Sequence, residues 1–393
     1  MDRRELLKSG LLVAGAAAVG LTGCSKNIPE GNNHDYDTEM PVQKKKFEIS
    51  TPLPFNYDLI DEMEAMNNLY KKSKITTVYN NMPLPFAGEF NGFFACQRGV
   101  NNDIKSYADF GKYVKYAQKK GFEFIYLLNS PKAFSGRDFR FRAKKFYELL
   151  DFLHDYGCKN IKVGNTQVAT LINEYKHKFD LYASTAFEFH NTLQYINLVK
   201  NYPNIKGFDL AIDENRNFPF MRNMHKLFPD KKLEVITQEP CIMGCPARVS
   251  HDSSDFKFFD CSKVRDNIVD ICKPNKIYPW TLAYYQDAGI RSFKMTAWPL
   301  RANITYTYFL RNYLDCVEYD VNKSNMSFQF FLNQIFLMAS RYSDDVKLKD
   351  VMPYLPDIKR FIKNGDKCAS QCGVECTYCD ECAAKIKKIM GEK

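Results

Sequence analysis

From residue 47 onward the chain alternates between short β-prone apolar runs and longer stretches in which apolar side chains recur at helical spacing. Candidate strands fall at 47–51, 75–80, 122–129, 160–164, 181–185, 207–212, 233–237 and 292–296. Helical segments lie between them at 57–71, 104–119, 138–156, 166–175, 191–199 and 214–227. Two helices show the signal most clearly. Phe146, Leu149, Leu150 and Leu153 follow the i, i+3, i+4, i+7 spacing of one buried face, while Lys144, Lys145 and Asp151 fall elsewhere. Tyr113, Val114 and Ala117 form a second such face, with Gly121 placed to stop that helix.

Repeated strand–helix alternation predicts a parallel sheet, and about eight repeats favour closure into a (β/α)8 TIM-like barrel. An open, doubly wound α/β sheet fits the same periodicity. In a barrel, chemistry belongs where strands end, which selects 80–83, 129–131, 165, 186–190, 213–216, 239–245 and 297–301. Glu188 and His190 follow the fifth strand, and Asp213, Glu214 and Arg216 follow the sixth, so barrel logic points them at one mouth. Past Ser343 the pattern is broken by Pro353, Pro356 and Gly365. The barrel is therefore placed at 47–345 and a cysteine-rich extension at 346–393.

The first residues differ in kind. Arg3, Arg4 and Lys8 make a basic start, residues 11–22 form an apolar run, and Leu21-Thr22-Gly23-Cys24 closes it. Crossing a bilayer takes about 20 apolar residues, so this run has the shape of a signal peptide, 1–23, more than that of a spanning helix. The paired arginines resemble a twin-arginine export signal, and the closing tetrapeptide resembles a bacterial lipobox. That resemblance implies a lipid on Cys24 and an exported protein anchored to the extracytoplasmic face of a bacterial membrane. The alternative is a retained apolar tail with a chance cysteine. Residues 24–46 are polar and read as a tether.

Composition narrows the partners. Apolar residues make up 45% and charged residues 26%, which excludes broad disorder. The net charge of +9 is not concentrated in a long basic block, so a nucleic-acid partner is not expected.

The 13 cysteines carry most of the chemical information. Cys96, Cys158 and Cys316 are isolated and read as buried thiols. A first group comprises Cys241-x3-Cys245-Pro-x-Arg248-x2-His251, then Cys261 and Cys272. Thiolates converging from one loop suit an iron–sulfur cluster or zinc, whereas export keeps a disulfide open as an alternative. The second group is Cys368-x3-Cys372-Gly-x2-Cys376-x2-Cys379-x2-Cys382. Five thiols so close cannot all pair with one another, so this group reads as a metal knuckle for zinc or a second iron–sulfur cluster, with Gly373 at its turn.

The element Cys241-x3-Cys245-Pro-x-Arg248-x2-His251 resembles the collagenase-like peptidase family U thirty-two. Leu181-Tyr-Ala-Ser-Thr-Ala, Asp213-Glu-Asn-Arg216, Ile277-Tyr-Pro-Trp280, Tyr284-Tyr-Gln-Asp-Ala-Gly-Ile290 and Phe293-Lys-Met295 agree with it, as does the tail Cys372-Gly-x2-Cys376-x-Tyr378-Cys379. The resemblance implies a barrel with a [4Fe–4S] cluster held by Cys241, Cys245 and Cys261, with Cys272 as the fourth ligand. It further implies a cluster-dependent oxidoreductase or hydroxylase acting on a small or lipid-soluble substrate, with a redox partner. The peptidase activity also ascribed to the family, and an electron-transfer or binding lipoprotein without turnover, are the alternatives. One departure stands out: many members carry Phe-Lys-Ile-x-Gly-Arg where this chain has Phe293-Lys-Met-Thr-Ala-Trp298. A substrate contact made by that Gly-Arg is then missing.

Four residues complete the candidate site. His251 is suited to acid–base work and Arg248 to clamping a carboxylate, or both could offset the charge of a cluster. Glu188 and Arg216 join them from the strand ends. No Gly-x-Ser-x-Gly and no His-Glu-x-x-His is present, so a hydrolase lacks a recognisable nucleophile or zinc motif.

Overall fold

The computed structural model describes residues 40–53, 56–81, 106–131, 139–239, 241–249, 267–296, 306–336 and 345–391. Cys24, Cys96, His251, Cys261 and the expected signal peptide lie outside the described residues.

Eight parallel strands close into a barrel in chain order. They are β1 (Phe47–Pro52), β2 (Ser73–Asn80), β3 (Glu123–Leu128), β4 (Asn160–Val163), β5 (Asp180–Ala183), β6 (Ile205–Asp209), β7 (Lys232–Ile236) and β8 (Ser292–Lys294). Closure is made by β1 against β8, with Ile49 beside Phe293. Register shifts between Ile49 and Ser50 and between Leu181 and Tyr182 supply irregularities of the kind that bend a sheet. The expected (β/α)8 fold is the one observed.

The helices α1 (Tyr57–Leu69), α2 (Tyr107–Lys119), α3 (Phe139–Asp155), α4 (Thr166–Glu174), α5 (Thr192–Asn201) and α6 (Phe218–Leu227) each follow one of the first six strands. Ile49, Val78, Phe124, Ile161, Phe208, Val235 and Phe293 on the strands are buried, as is the α3 face of Phe146, Leu149, Leu150 and Leu153. Gly121 follows α2 at φ +87°, the left-handed stop its position suggests. Asparagine has a local use here. Asn56, Asn165, Asn191 and Asn217 each accept a backbone N–H at a helix start, satisfying donors the helix cannot. Because Asn217 caps and Pro219 follows, α6 begins at Phe218, later than the apolar pattern suggests.

After β7 come α7 (Asn267–Cys272) and α8 (Leu282–Asp287), and after β8 come α9 (Tyr306–Glu318) and α10 (Phe328–Gln334). The extension forms α11 (Leu348–Val351), α12 (Ile358–Asn364), α13 (Cys368–Gln371) and α14 (Tyr378–Ile389). Within the expected tether, Lys44 is ion-paired to Asp287 at 3.0 Å and Gln286 donates to the Lys45 carbonyl at 3.0 Å.

The barrel interior is polar. Lys162 on β4 donates to both carboxylate oxygens of Asp209 at 2.6 and 2.9 Å and to Glu234 at 2.6 Å. Lys294 donates to Asp209 at 2.7 Å and Ser292 to Glu234 at 2.7 Å. Strand alternation sends these residues inward while Ile161, Phe208, Val235 and Phe293 face the helices. The two ammonium groups lie 5.7 and 4.8 Å from the Tyr79 ring centroid. Two amines face two carboxyl groups, so the barrel interior carries no excess charge, while burial pushes the Asp209 carboxyl up and the Lys294 ammonium down.

Replacing Lys162 breaks that balance. Lys162→Met leaves two buried carboxylates to share Lys294, and the fold should lose about 3–5 kcal/mol in urea unfolding. A midpoint unchanged from wild type contradicts a paired interior.

Candidate functional site

Three loops meet above this floor. After β5 the chain makes a short turn, Thr185–Phe187, and leaves it through Glu188 at φ +47°. A side-chain-bearing residue pays a steric cost there, and such positions concentrate at functional sites. Glu188 Oε2 lies 3.3 Å from Arg248 Nη1 and 3.5 Å from His190 Nε2. Its Oε1 is buried and accepts no hydrogen bond among the described residues. After β6 the turn Ile212–Glu214 presents Asp213 and Glu214. Glu214 pairs with His190 Nδ1 at 3.0 Å and accepts from Asn217 Nδ2 at 2.6 Å.

The third loop follows β7 and carries Cys241 and Cys245. Arg248 fastens it: Nη1 and Nη2 donate to Asp213 at 2.9 and 2.8 Å, and Nη2 also donates to the Ile242 carbonyl at 3.0 Å. Gly244, at φ +65°, turns its N–H onto Asp213 at 3.1 Å. The Asn275 side chain donates to the Cys241 carbonyl, and Lys276 to that of Glu239. Spacing alone suggested Arg248 as a carboxylate clamp. Its carboxylates are the protein's own, Asp213 and Glu188.

Electrostatics follow from burial and pairing. Burial pushes the Cys241 thiol up, Glu239 adds to this, and Arg248 opposes it. Burial likewise raises the Glu239 carboxyl, against Lys276 and Arg248. Hydrogen bonds to Glu188 and then Glu214 lift His190 from 6.5 to about 10, so its imidazole is cationic at neutral pH.

The remaining candidates gather elsewhere. Arg216 is buried, and its guanidinium donates to the carbonyls of Cys272 and Lys276, both at 3.0 Å. It lies between the rings of Tyr278 and Phe361, 4.9 and 4.8 Å from their centroids. No carboxylate among the described residues is ion-paired with it; the ionisable groups acting on it most strongly are Tyr278, Tyr285 and Cys379. Cys272, expected beside Cys241, has the tail thiols Cys379 and Cys382 as its electrostatic neighbours. Burial raises Cys368 to about 11 and Cys379 to about 12, with Arg216 opposing in both cases.

In the tail, the Gln371 carbonyl accepts the N–H groups of Val374, Glu375 and Cys376 at 3.1, 3.0 and 2.9 Å, and Gly373 sits at φ +77°. Cys372 and Cys376 are bridge partners across this turn. The described cysteines are all free thiols, and Cys158 and Cys316 are buried as expected. Among the described residues, no three His, Cys, Asp or Glu side chains stand in a metal-holding arrangement.

The inward charges Lys162, Asp209, Glu234 and Lys294 were missed, although each sits at the inward parity of its strand, a pattern visible in the sequence. The left-handed Glu188 left no such sign.

No protein-family model matches the chain, and no curated protein does. Solved structures do resemble it. The U32 peptidase Mk0906 is 9% identical over 66% of this chain and 96% of its own, with a TM-score of 0.42. N-acetylneuraminate lyase from Fusobacterium nucleatum is 13% identical over 88% and 99%, at 0.34. Dispersin B is 12% identical over 70% and 97%, at 0.36. The barrel assignment stands on the strand pairing itself.

The His190 pairing sets a pH dependence. With its folded value near 10 and its ordinary value at 6.5, the pairing contributes stability that is whole below about pH 6.5 and gone above about pH 10. The stability gap between wild type and His190→Gln should therefore narrow as pH rises across that window. A gap that does not change with pH, or a His190 NMR titration near 6.5, contradicts the pairing.

Proposed function

We propose that this chain is an exported, lipid-anchored enzyme of the U thirty-two type, working as an iron–sulfur-dependent oxidoreductase or hydroxylase on a small or lipid-soluble substrate. The observation that carries the reading is the loop bearing Cys241 and Cys245, which Arg248 and Gly244 pin to Asp213 beside the strained Glu188.

The donor chemistry suits the group. Cys241 and Cys245 are free thiols on one short loop, close enough for Cys245 to add to the upward push on the Cys241 thiol. Together with Cys261 they are the residues that would hold a [4Fe–4S] cluster. Cys272, surrounded by tail thiols, suits that set least. When bound, such a cluster supplies one-electron transfer.

The chain's own groups supply the rest. Arg248 is a positioning residue, because its guanidinium is already shared between Asp213, Glu188 and the Ile242 carbonyl. Glu188 Oε1 is an acceptor left for a substrate N–H or O–H. His190 holds a proton between two carboxylates and can donate it at the mouth. The ion-paired interior fills the barrel beneath, so substrate is met at the loops.

A peptidase-like hydrolase is the second reading, favoured by the carboxylate–histidine group of Glu188, His190 and Glu214.

Anaerobic purification with iron, sulfide and visible absorbance tests the proposal. The double variant Cys241→Ser, Cys245→Ser should lose about four iron and four sulfide per chain while keeping its far-ultraviolet circular dichroism. Iron unchanged by the double variant sinks the reading. Peptide release by iron-free protein, abolished by Glu188→Gln or His251→Ala, would establish the hydrolase instead.

A further inference from the structure

A second gathering of thiols lies where the C-terminal extension meets the segment after α7. Cys368, Cys372, Cys376 and Cys379 line one pocket of about 260 Å³, enclosed partly by Lys273. That volume is several times the roughly 30 Å³ share of one water, so the pocket has room for more than a single small ion.

We propose that Cys368, Cys372, Cys376 and Cys379 ligate a metal centre of their own, whose negative charge is balanced by the buried Arg216.

Two independent observations carry it. The first is local geometry. The Gln371 carbonyl and Gly373 hold Cys372 and Cys376 across a tight turn, and Cys379 follows in the first turn of α14. That places it on the same side of the turn as Cys376, at the start of the helix. The four thiols line one pocket without standing in a metal-holding arrangement among the described residues, so a bound metal would draw them inward from its walls.

The second is the charge of Arg216. A guanidinium taken out of water without an anionic partner is costly, and two carbonyls with two flanking rings meet only part of that cost. The ionisable side chains beside it are the phenols of Tyr278 and Tyr285, which burial keeps protonated, and the thiol of Cys379, with no ion-paired carboxylate among the described residues. Four thiolates on a divalent ion, or on a cluster core of like charge, leave a net negative centre, which is the counter-charge this cation lacks. Lys273 adds to the positive surroundings, with Nζ 3.7 Å from Cys372 Sγ and 3.0 Å from Asp380.

The tail also fits this flank closely. A Cβ on Gly365 would lie 1.9 Å from the Arg216 carbonyl oxygen, so only glycine allows that approach. Phe361, on α12, covers the guanidinium. The tail that carries the thiols is thus also the element that covers Arg216.

The test uses the full chain, expressed once with iron under anaerobic conditions and once with zinc. Cys376→Ser, Cys379→Ser should lose one metal centre relative to wild type, while Cys241→Ser, Cys245→Ser keeps it. Iron with acid-labile sulfide identifies a cluster, and zinc without sulfide a mononuclear site; either supports thiolate ligation here. In case the double variant folds poorly, wild-type protein is alkylated with iodoacetamide before and after chelator treatment. The four cysteines should label about tenfold faster once metal is stripped. Equal metal in the tail variant, or equal labelling with and without chelator, overturns the proposal.

Discussion

The structure depends on one constraint: a charge removed from water must meet its opposite. Inside the barrel the constraint is fully met, since Lys162 and Lys294 are matched by Asp209 and Glu234 within hydrogen-bonding distance. At the mouth it is met again, where Arg248 is shared by Asp213 and Glu188 and so ties the loops after β5, β6 and β7 together. Arg216 breaks the pattern: two carbonyls and two rings surround its guanidinium, and the proposed tail centre would supply the charge it lacks.

This division gives the barrel two separate faces of chemistry. Asp213 and Glu214 turn toward the mouth, while Arg216, two residues on, enters the flank beneath the tail. Asn215 lies between them and joins the two regions, donating to the carbonyls of Ile236 and Asn275. A short segment after one strand therefore serves both a candidate reaction site and a docking site. Strain at Glu188 belongs to the first, and the glycine-only approach of Gly365 to the second.

Much of the fold was legible in the sequence because its signals are local. Strand runs, helical periodicity and the stop at Gly121 depend on neighbours a few residues away, and closure into a barrel followed from their repetition. The thiol-rich character of both cysteine groups was legible for the same reason. Their partition was not. Cys272 stands near Cys261 in the chain, yet α7 packs on α14, more than a hundred residues later, and no spacing rule reports that contact. Arg216 was likewise read from its position after a strand, whereas the carbonyls of Cys272 and Lys276 decide where it points. Arg248 looked free for a ligand because Asp213 and Glu188 are remote in sequence.

The claim beneath this account is that sulfur from these cysteines binds metal. Extended X-ray absorption fine structure at the metal edge of the intact, anaerobically prepared chain tests it most directly. The account predicts a first shell of sulfur at about 2.3 Å, the distance of thiolate ligation. A shell of nitrogen and oxygen at about 2.0–2.1 Å, as histidine and carboxylate ligands give, would contradict it.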